Sequence, residues 1–227
     1  MLLYDFPGGI LRMSSHPYVA EGNVFFWLEN PLNCTLLCAE ALLLLLVVKD
    51  LIQVYGFIGA CMWHSKSLVT IEHNLRYARI RDKVALCTLP LLVMEFSGMG
   101  MLGMTLPRIL AVLFGYYIAR RLLYAVVKRG KVPMEVWLAS RNAPNVFVVM
   151  LASLWVATMA VMLSAGVSHA VVEQVMLIEL GAVAFICLNR QFGILKLQCG
   201  SFRSFLYLCA LEILPMAGVV CVVLLIS

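Results

Sequence analysis

Between Asn33 and Ser227 the sequence returns repeatedly to apolar runs of about 20 residues, and no other feature limits its fold so tightly. Six such runs can be read: Asn33 to Val48, Val84 to Thr105, Arg108 to Val127, Val146 to Val167, Ala170 to Arg190 and Ser204 to Ser227. At about 1.5 Å of rise per residue, a helix of this length crosses the roughly 30 Å hydrocarbon layer of a bilayer. The first run is shorter and borrows flanking residues; residues 51–62 either extend it or lie on the membrane surface. Inside lipid only helices and closed barrels satisfy their own backbone, and long unbroken runs select helices. The expected fold is all-α: a polytopic integral membrane protein built as a six-helix transmembrane bundle. Composition agrees, with 63% apolar and 13% charged residues. A soluble domain runs near about 45–50% and about 25%. A chain of 227 residues cannot hide that much hydrocarbon in its own core. A soluble enzyme, a disordered regulator and a nucleic-acid module are thereby excluded.

The few charges set the orientation. Basic residues gather in three connections, at about residues 49–83 (Lys49, Lys66, Arg76, Arg79, Arg81, Lys83), 128–145 (Lys128, Arg129, Lys131, Arg141) and 190–203 (Arg190, Lys196, Arg203). The opposite side holds only Arg12 and Arg108. By the positive-inside rule the three basic loops are cytoplasmic and both termini are periplasmic. Residues 1–32 read as a short periplasmic or interfacial tail rather than a signal peptide, with Asp5, Glu21 and Glu29 against Arg12. Within it, Val24 to Trp27 reads as an interfacial anchor. Residues 33–227 then form one six-span domain.

The first basic connection is the long one. Leu51, Val54, Tyr55 and Ile58 follow helical spacing, which predicts an amphipathic helix on the inner surface; Leu68, Ile71 and Leu75 repeat the pattern. Arg76, Arg79, Arg81 and Lys83 are candidate contacts for anionic lipid headgroups, beside their ordinary role of setting topology. In the third connection Ala143-Pro144-Asn145 reads as a helix start for the fourth span.

Motifs that carry chemistry are absent. The sequence has no GxxxxGK[ST], HExxH, GxSxG or GxGxxG. His16, His64, His73 and His169 are scattered, and Cys34 with Cys38 lack further ligands to complete a metal site. No cofactor and no metal is implied, and the eight cysteines read as packing residues.

What remains is charge at membrane depth. Counting from each span's cytoplasmic end, Glu40 and Glu212 lie roughly 12 Å deep, Glu95 and Glu179 roughly 17 Å, and Arg121 roughly 9 Å. With Arg120 these form a candidate buried polar layer, while Glu173 sits near the outer mouth. Such residues usually face a bundle interior or a cavity. Two uses are open: cross-helix hydrogen bonds and ion pairs, or a polar cavity for a proton, ion or small anion. Adjacent helical residues point about 100° apart, so Arg120 and Arg121 should not share one environment. Tyr117, Arg121 and Tyr124 fall on one helical face, and Ser153, Ala157, Ala160 and Ser164 form a small-residue stripe that permits close helix contact. Pro215, just past Glu212, frees the Leu211 carbonyl and should kink the last helix beside that acid.

The segment Phe205-Leu-Tyr-Leu-Cys-Ala-Leu-Glu-Ile-Leu-Pro215 resembles the closing signature of an uncharacterised membrane-protein family of Bacteroidota, domain-of-unknown-function family 4271. Tyr207, Glu212 and Pro215 are the positions that match. The resemblance implies a location in the inner membrane of a Gram-negative envelope and no established activity.

The functional expectation is a non-enzymatic accessory, assembly or scaffold subunit. Its partners would be the lipid bilayer and either a membrane protein or a second copy of the chain, with no nucleic acid. A small proton-coupled or lipid-linked transporter using the Glu/Arg layer is the alternative. A membrane enzyme acting on lipid or quinone is the third reading; only the carboxylates could serve it.

Overall fold

In the computed structural model, residues 31–98, 106–127, 132–218 and 221 are described; the tail 1–30, with its Val24 to Trp27 anchor, and Lys128, Arg129 and Lys131 fall outside them. The described residues are helical almost throughout, with no strand. Helix α1 spans Pro31–Trp63, α2 Ser65–His73, α3 Leu75–Gly98, α4 Leu106–Val126, α5 Met134–Ser164, α6 His169–Cys199 and α7 Ser201–Leu208. The last helix opens into a π turn at Cys209–Ile213 and resumes as α-helix at 214–218. Three segments are long and apolar enough to cross a membrane: Arg108–Val126 in α4, Met134–Met162 in α5 and Ala170–Cys199 in α6.

Around an apolar core, large apolar side chains also face outward and several charged ones are buried. Leu46 is 84% exposed and Phe185 70%, while Glu212 is 1% exposed and Arg120 4%. In water that distribution would be a contiguous sticky surface over buried, expensive charge; in a bilayer it is the expected one.

Helix α5 lies at the centre, against α6, α3, α2 and α1. Trp155 on α5 is buried and donates its indole N–H to the Met176 carbonyl of α6 at 3.2 Å. The Tyr55 hydroxyl of α1 meets the Ser153 hydroxyl of α5. The rest of the expected small-residue stripe, Ala157, Ala160 and Ser164, is exposed.

The basic connections differ from expectation: they are largely helical. Residues 51–62 are not a separate surface helix but the last turns of α1, with Val54, Ile58 and Cys61 buried along one face. Leu68 and Ile71 are buried on α2, but Leu75 opens α3 and is exposed, because the chain breaks at Asn74. There the Asn74 side-chain oxygen caps α3, accepting from the Arg76 and Tyr77 N–H groups at 3.1 and 3.4 Å. Helix α5 starts at Met134, so Ala143-Pro144-Asn145 lies inside it and does not begin it. At 31 residues each, α5 and α6 are about 46 Å long, well beyond the hydrocarbon layer. They turn through Gly166 (φ 72°), so both surpluses fall at the basic end, where α2 packs on α5, α6, α1 and α3. Gly200 (φ 74°, ψ 163°) ends α6 in a positive-φ conformation open essentially to glycine alone.

Helices α6 and α2 approach closely in this basic layer. A Cβ on Gly193 would lie 2.5 Å from Ser65 Oγ and 3.2 Å from Ser65 Cβ. The hydroxyl can rotate away, but the Cβ is fixed to the first turn of α2. Gly193→Ala should therefore lower stability by about 1–3 kcal/mol, although alanine favours the helix itself by about 1 kcal/mol. Gly181→Ala, where a Cβ would meet nothing within 4 Å, should not lower it. Thermal unfolding in detergent checks both; a higher Tm for Gly193→Ala would refute the close contact.

Candidate functional site

The residues of the membrane-depth layer that meet are Arg120 and Glu212. Arg120 Nε donates to Glu212 Oε1 at 2.9 Å and Oε2 at 2.8 Å, and Nη2 donates to Oε1 at 2.6 Å. The Tyr124 hydroxyl adds a further donor to Oε1 at 2.9 Å and shares a 3.1 Å hydrogen bond with Ser140 Oγ. The guanidinium also lies 5.0 Å from the centre of the Tyr124 ring. Tyr116, Arg120 and Tyr124 follow at i, i+4 and i+8 on α4, and all three face the same carboxylate. Burial makes each hydrogen bond count, because an ionised pair out of water is tolerated only when its lone pairs and protons are satisfied.

Two prolines prepare the partners. Pro144 has no N–H to donate to the Ser140 carbonyl four residues earlier. That carbonyl instead accepts from Arg120 Nη2 at 3.4 Å and Gln191 Nε2 at 3.3 Å. Pro215 likewise removes a donor just after Glu212, and the preceding backbone widens into the π turn, with the Leu214 N–H reaching the Cys209 carbonyl. Wide turns of this kind occur mostly where a helix carries out a special task. The clamp thus ties together α4, α5, α6 and the segment after α7. Tyr207 joins it through rings: Tyr207 stacks edge-on against Trp137 at 5.6 Å, and Trp137 against Tyr124 at 5.1 Å.

The other members of the layer lie elsewhere. Arg121 is exposed and bonds to the Tyr117 hydroxyl at 2.5 Å, with its guanidinium 5.0 Å from that ring. Glu179 accepts from Thr158 Oγ1 at 2.6 Å, and its other oxygen has no partner among the described residues. Among the same residues Glu95 is buried with both oxygens unpartnered, and Glu40 with one. Glu173 is half-buried. The layer separates into distinct contacts.

A second buried network lies at the basic end, and it corrects one expectation. Arg81 is not a lipid contact: it is 1% exposed. It donates to Glu72 Oε1 at 2.5 Å and Asp82 Oδ1 at 2.9 Å. Asn142 Nδ2 reaches the same Glu72 oxygen at 3.2 Å, and Asn145 Nδ2 reaches Asp82 at 2.8 Å. Lys83 is exposed but paired with Asp50 at 2.7 Å, whose hydrogen bond and charge hold the ammonium pKa above its ordinary value. Arg76 and Arg79 are exposed.

Sequence reasoning passed over Ser140, Gln191, Tyr116 and the Glu72–Arg81–Asn142 group. One signal for Ser140 was present, a proline four residues downstream. Among the described residues no group of three or more His, Cys, Asp or Glu is placed to hold a metal ion. The eight cysteines form no disulfide. Comparison with protein-family models, curated proteins and solved structures finds no match for the chain.

Proposed function

We propose that the chain is a non-enzymatic accessory, assembly or scaffold subunit of the bacterial inner membrane, with six spans and both termini periplasmic. On the resemblance of Phe205 to Pro215, we place it in domain-of-unknown-function family 4271. The observation that carries the scaffold reading is the saturation of Glu212. Its oxygens take three contacts from Arg120 and one from Tyr124, which leaves no free base and no open ion site. A transporter needs a carboxylate that can release what it binds, and a bidentate arginine holds this one tightly. Of the remaining acids at membrane depth, Glu179 pairs with Thr158 across two helices, as structural polar groups do, and none joins the Arg120–Glu212 pair.

A specific observation favours the transporter as second reading. Glu95 and Glu40 are buried with unpartnered oxygens, which is how an intramembrane proton site looks between events. One experiment separates the two. Extraction in mild detergent after crosslinking should recover the wild type with a stoichiometric membrane partner or a second copy. Glu40→Gln and Glu95→Gln should leave that recovery and the cellular phenotype unchanged. A monomer without partners, together with a phenotype lost in either Gln variant, would replace the scaffold by the transporter.

A further inference from the structure

At the basic end a cleft of about 740 Å³ opens between the last turns of α1, α2 and the start of α3. This is within the range of about 300–1,000 Å³ that small-molecule sites occupy. Gly56 and Ala60, one turn apart on α1, line it. Glycine within a helix costs about 1 kcal/mol relative to alanine, yet a Cβ on Gly56 would touch nothing within 4 Å. Packing inside the chain therefore does not require the glycine. What its bare backbone does is leave the cleft open.

Polar donors surround that floor. Arg76, Ser67 and Asn74 line the cleft. The Asn74 oxygen is engaged in capping α3, so its amide NH₂ is the group it can offer a ligand. Among the described residues no carboxylate lines the cleft. The acids nearby are already engaged: Glu72 and Asp82 hold Arg81, and Asp50 holds Lys83. Among the described ion pairs none involves Arg76. The cleft therefore presents a guanidinium that pairs with no described carboxylate, with hydroxyl and amide donors beside it, which is the chemistry that recognises a phosphate oxygen.

Its surroundings indicate where that phosphate comes from. Trp63, Leu75 and Ile52 are 75%, 70% and 66% exposed, and Tyr77 lies edge-on to Phe57 at 6.0 Å on the cleft wall. Exposed aromatic and aliphatic side chains beside a basic group mark the headgroup level of a membrane. We propose that this cleft seats the phosphodiester headgroup of an anionic phospholipid, with Arg76 on the phosphate and the acyl chains running past the apolar rim. The inference rests on the membrane reading above and is independent of the subunit role.

The full chain in phosphatidylcholine nanodiscs doped with phosphatidylglycerol, followed by native mass spectrometry of the released protein, tests it. The wild type should retain phosphatidylglycerol in preference to phosphatidylcholine. Arg76→Gln removes a charge-assisted contact and should reduce the preference about tenfold. Gly56→Leu, whose Cβ would meet nothing within 4 Å, projects its side chain into the cleft and should reduce it as much. Arg203→Gln, an exposed cation of the basic end outside the lining, should leave it unchanged. An undiminished preference in Arg76→Gln would overturn the proposal. So would equal loss in Arg203→Gln, or displacement of the lipid by millimolar inorganic phosphate, which would mean a site for a soluble anion. Lost lipid preference with partner recovery intact removes the cleft alone; the reverse removes the subunit role alone.

Discussion

Glu212→Gln is expected to destabilise the folded chain by about 3–5 kcal/mol, the usual result of removing one partner from a buried ion pair. The amide keeps some hydrogen bonds but leaves the Arg120 guanidinium charged, buried and unneutralised. Arg120→Met should cost about as much, for the opposite reason: Glu212 keeps the Tyr116 and Tyr124 hydroxyls beside it but loses its counter-charge. Combined, Arg120→Met with Glu212→Leu should recover most of the loss, because no uncompensated charge remains and the volumes stay similar. Thermal unfolding in detergent, or resistance to denaturing detergent, reads all three. Near-wild-type stability of Glu212→Gln would mean that the pair is not what holds α4 to the last segment. A double variant as weak as the singles would place the loss in packing rather than charge.

Arg81→Met should cost about 3 kcal/mol or more by the same physics at the other network. Its carboxylate partner Glu72 has only 7% of its side chain exposed and would keep Asn142 as its one described donor. Asp82 is half-exposed and can turn to water, so most of the penalty falls on Glu72. Arg81→Met with Glu72→Met should restore much of the stability, while Arg81→Lys should not, since one ammonium cannot reproduce the forked reach to both carboxylates. Matching losses in Arg81→Lys and Arg81→Met would fit this geometry. A fully stable Arg81→Met would contradict it and return Arg81 to the surface role first expected of it.

The contrast between those two arginines shows where sequence reading stops. That Arg120 and Arg121 would part company was legible from the 100° between neighbours. Which one turns inward was not, because a helix's rotation is decided by what packs around it. Tyr124 belongs to two stripes, one through Tyr117 and Arg121 and one through Tyr116 and Arg120, and only the position of Glu212 chooses between them. The acid beside Pro215 was legible as a special place because proline chemistry is local. Residues 134–145 were misread for the complementary reason. Charge and a proline there resemble a loop, yet a proline is tolerated inside a helix when the carbonyl it orphans finds other donors. Those donors come from α4 and α6, distant in sequence. Arg81 was misjudged likewise, since its partner Glu72 lies across a helix break.

The π turn has a consequence for the geometry of the final segment. In an α-helix five residues advance roughly 500°, which leaves Tyr207 and Glu212 on nearly opposite sides. A turn closed by an i→i+5 hydrogen bond brings its fifth residue back over its first and narrows that angle. The ring that touches Trp137 and the carboxylate that grips Arg120 can then address one neighbourhood. The extra residue held in the turn acts as a phase shifter, rotating the glutamate toward the side of the helix that carries the tyrosine.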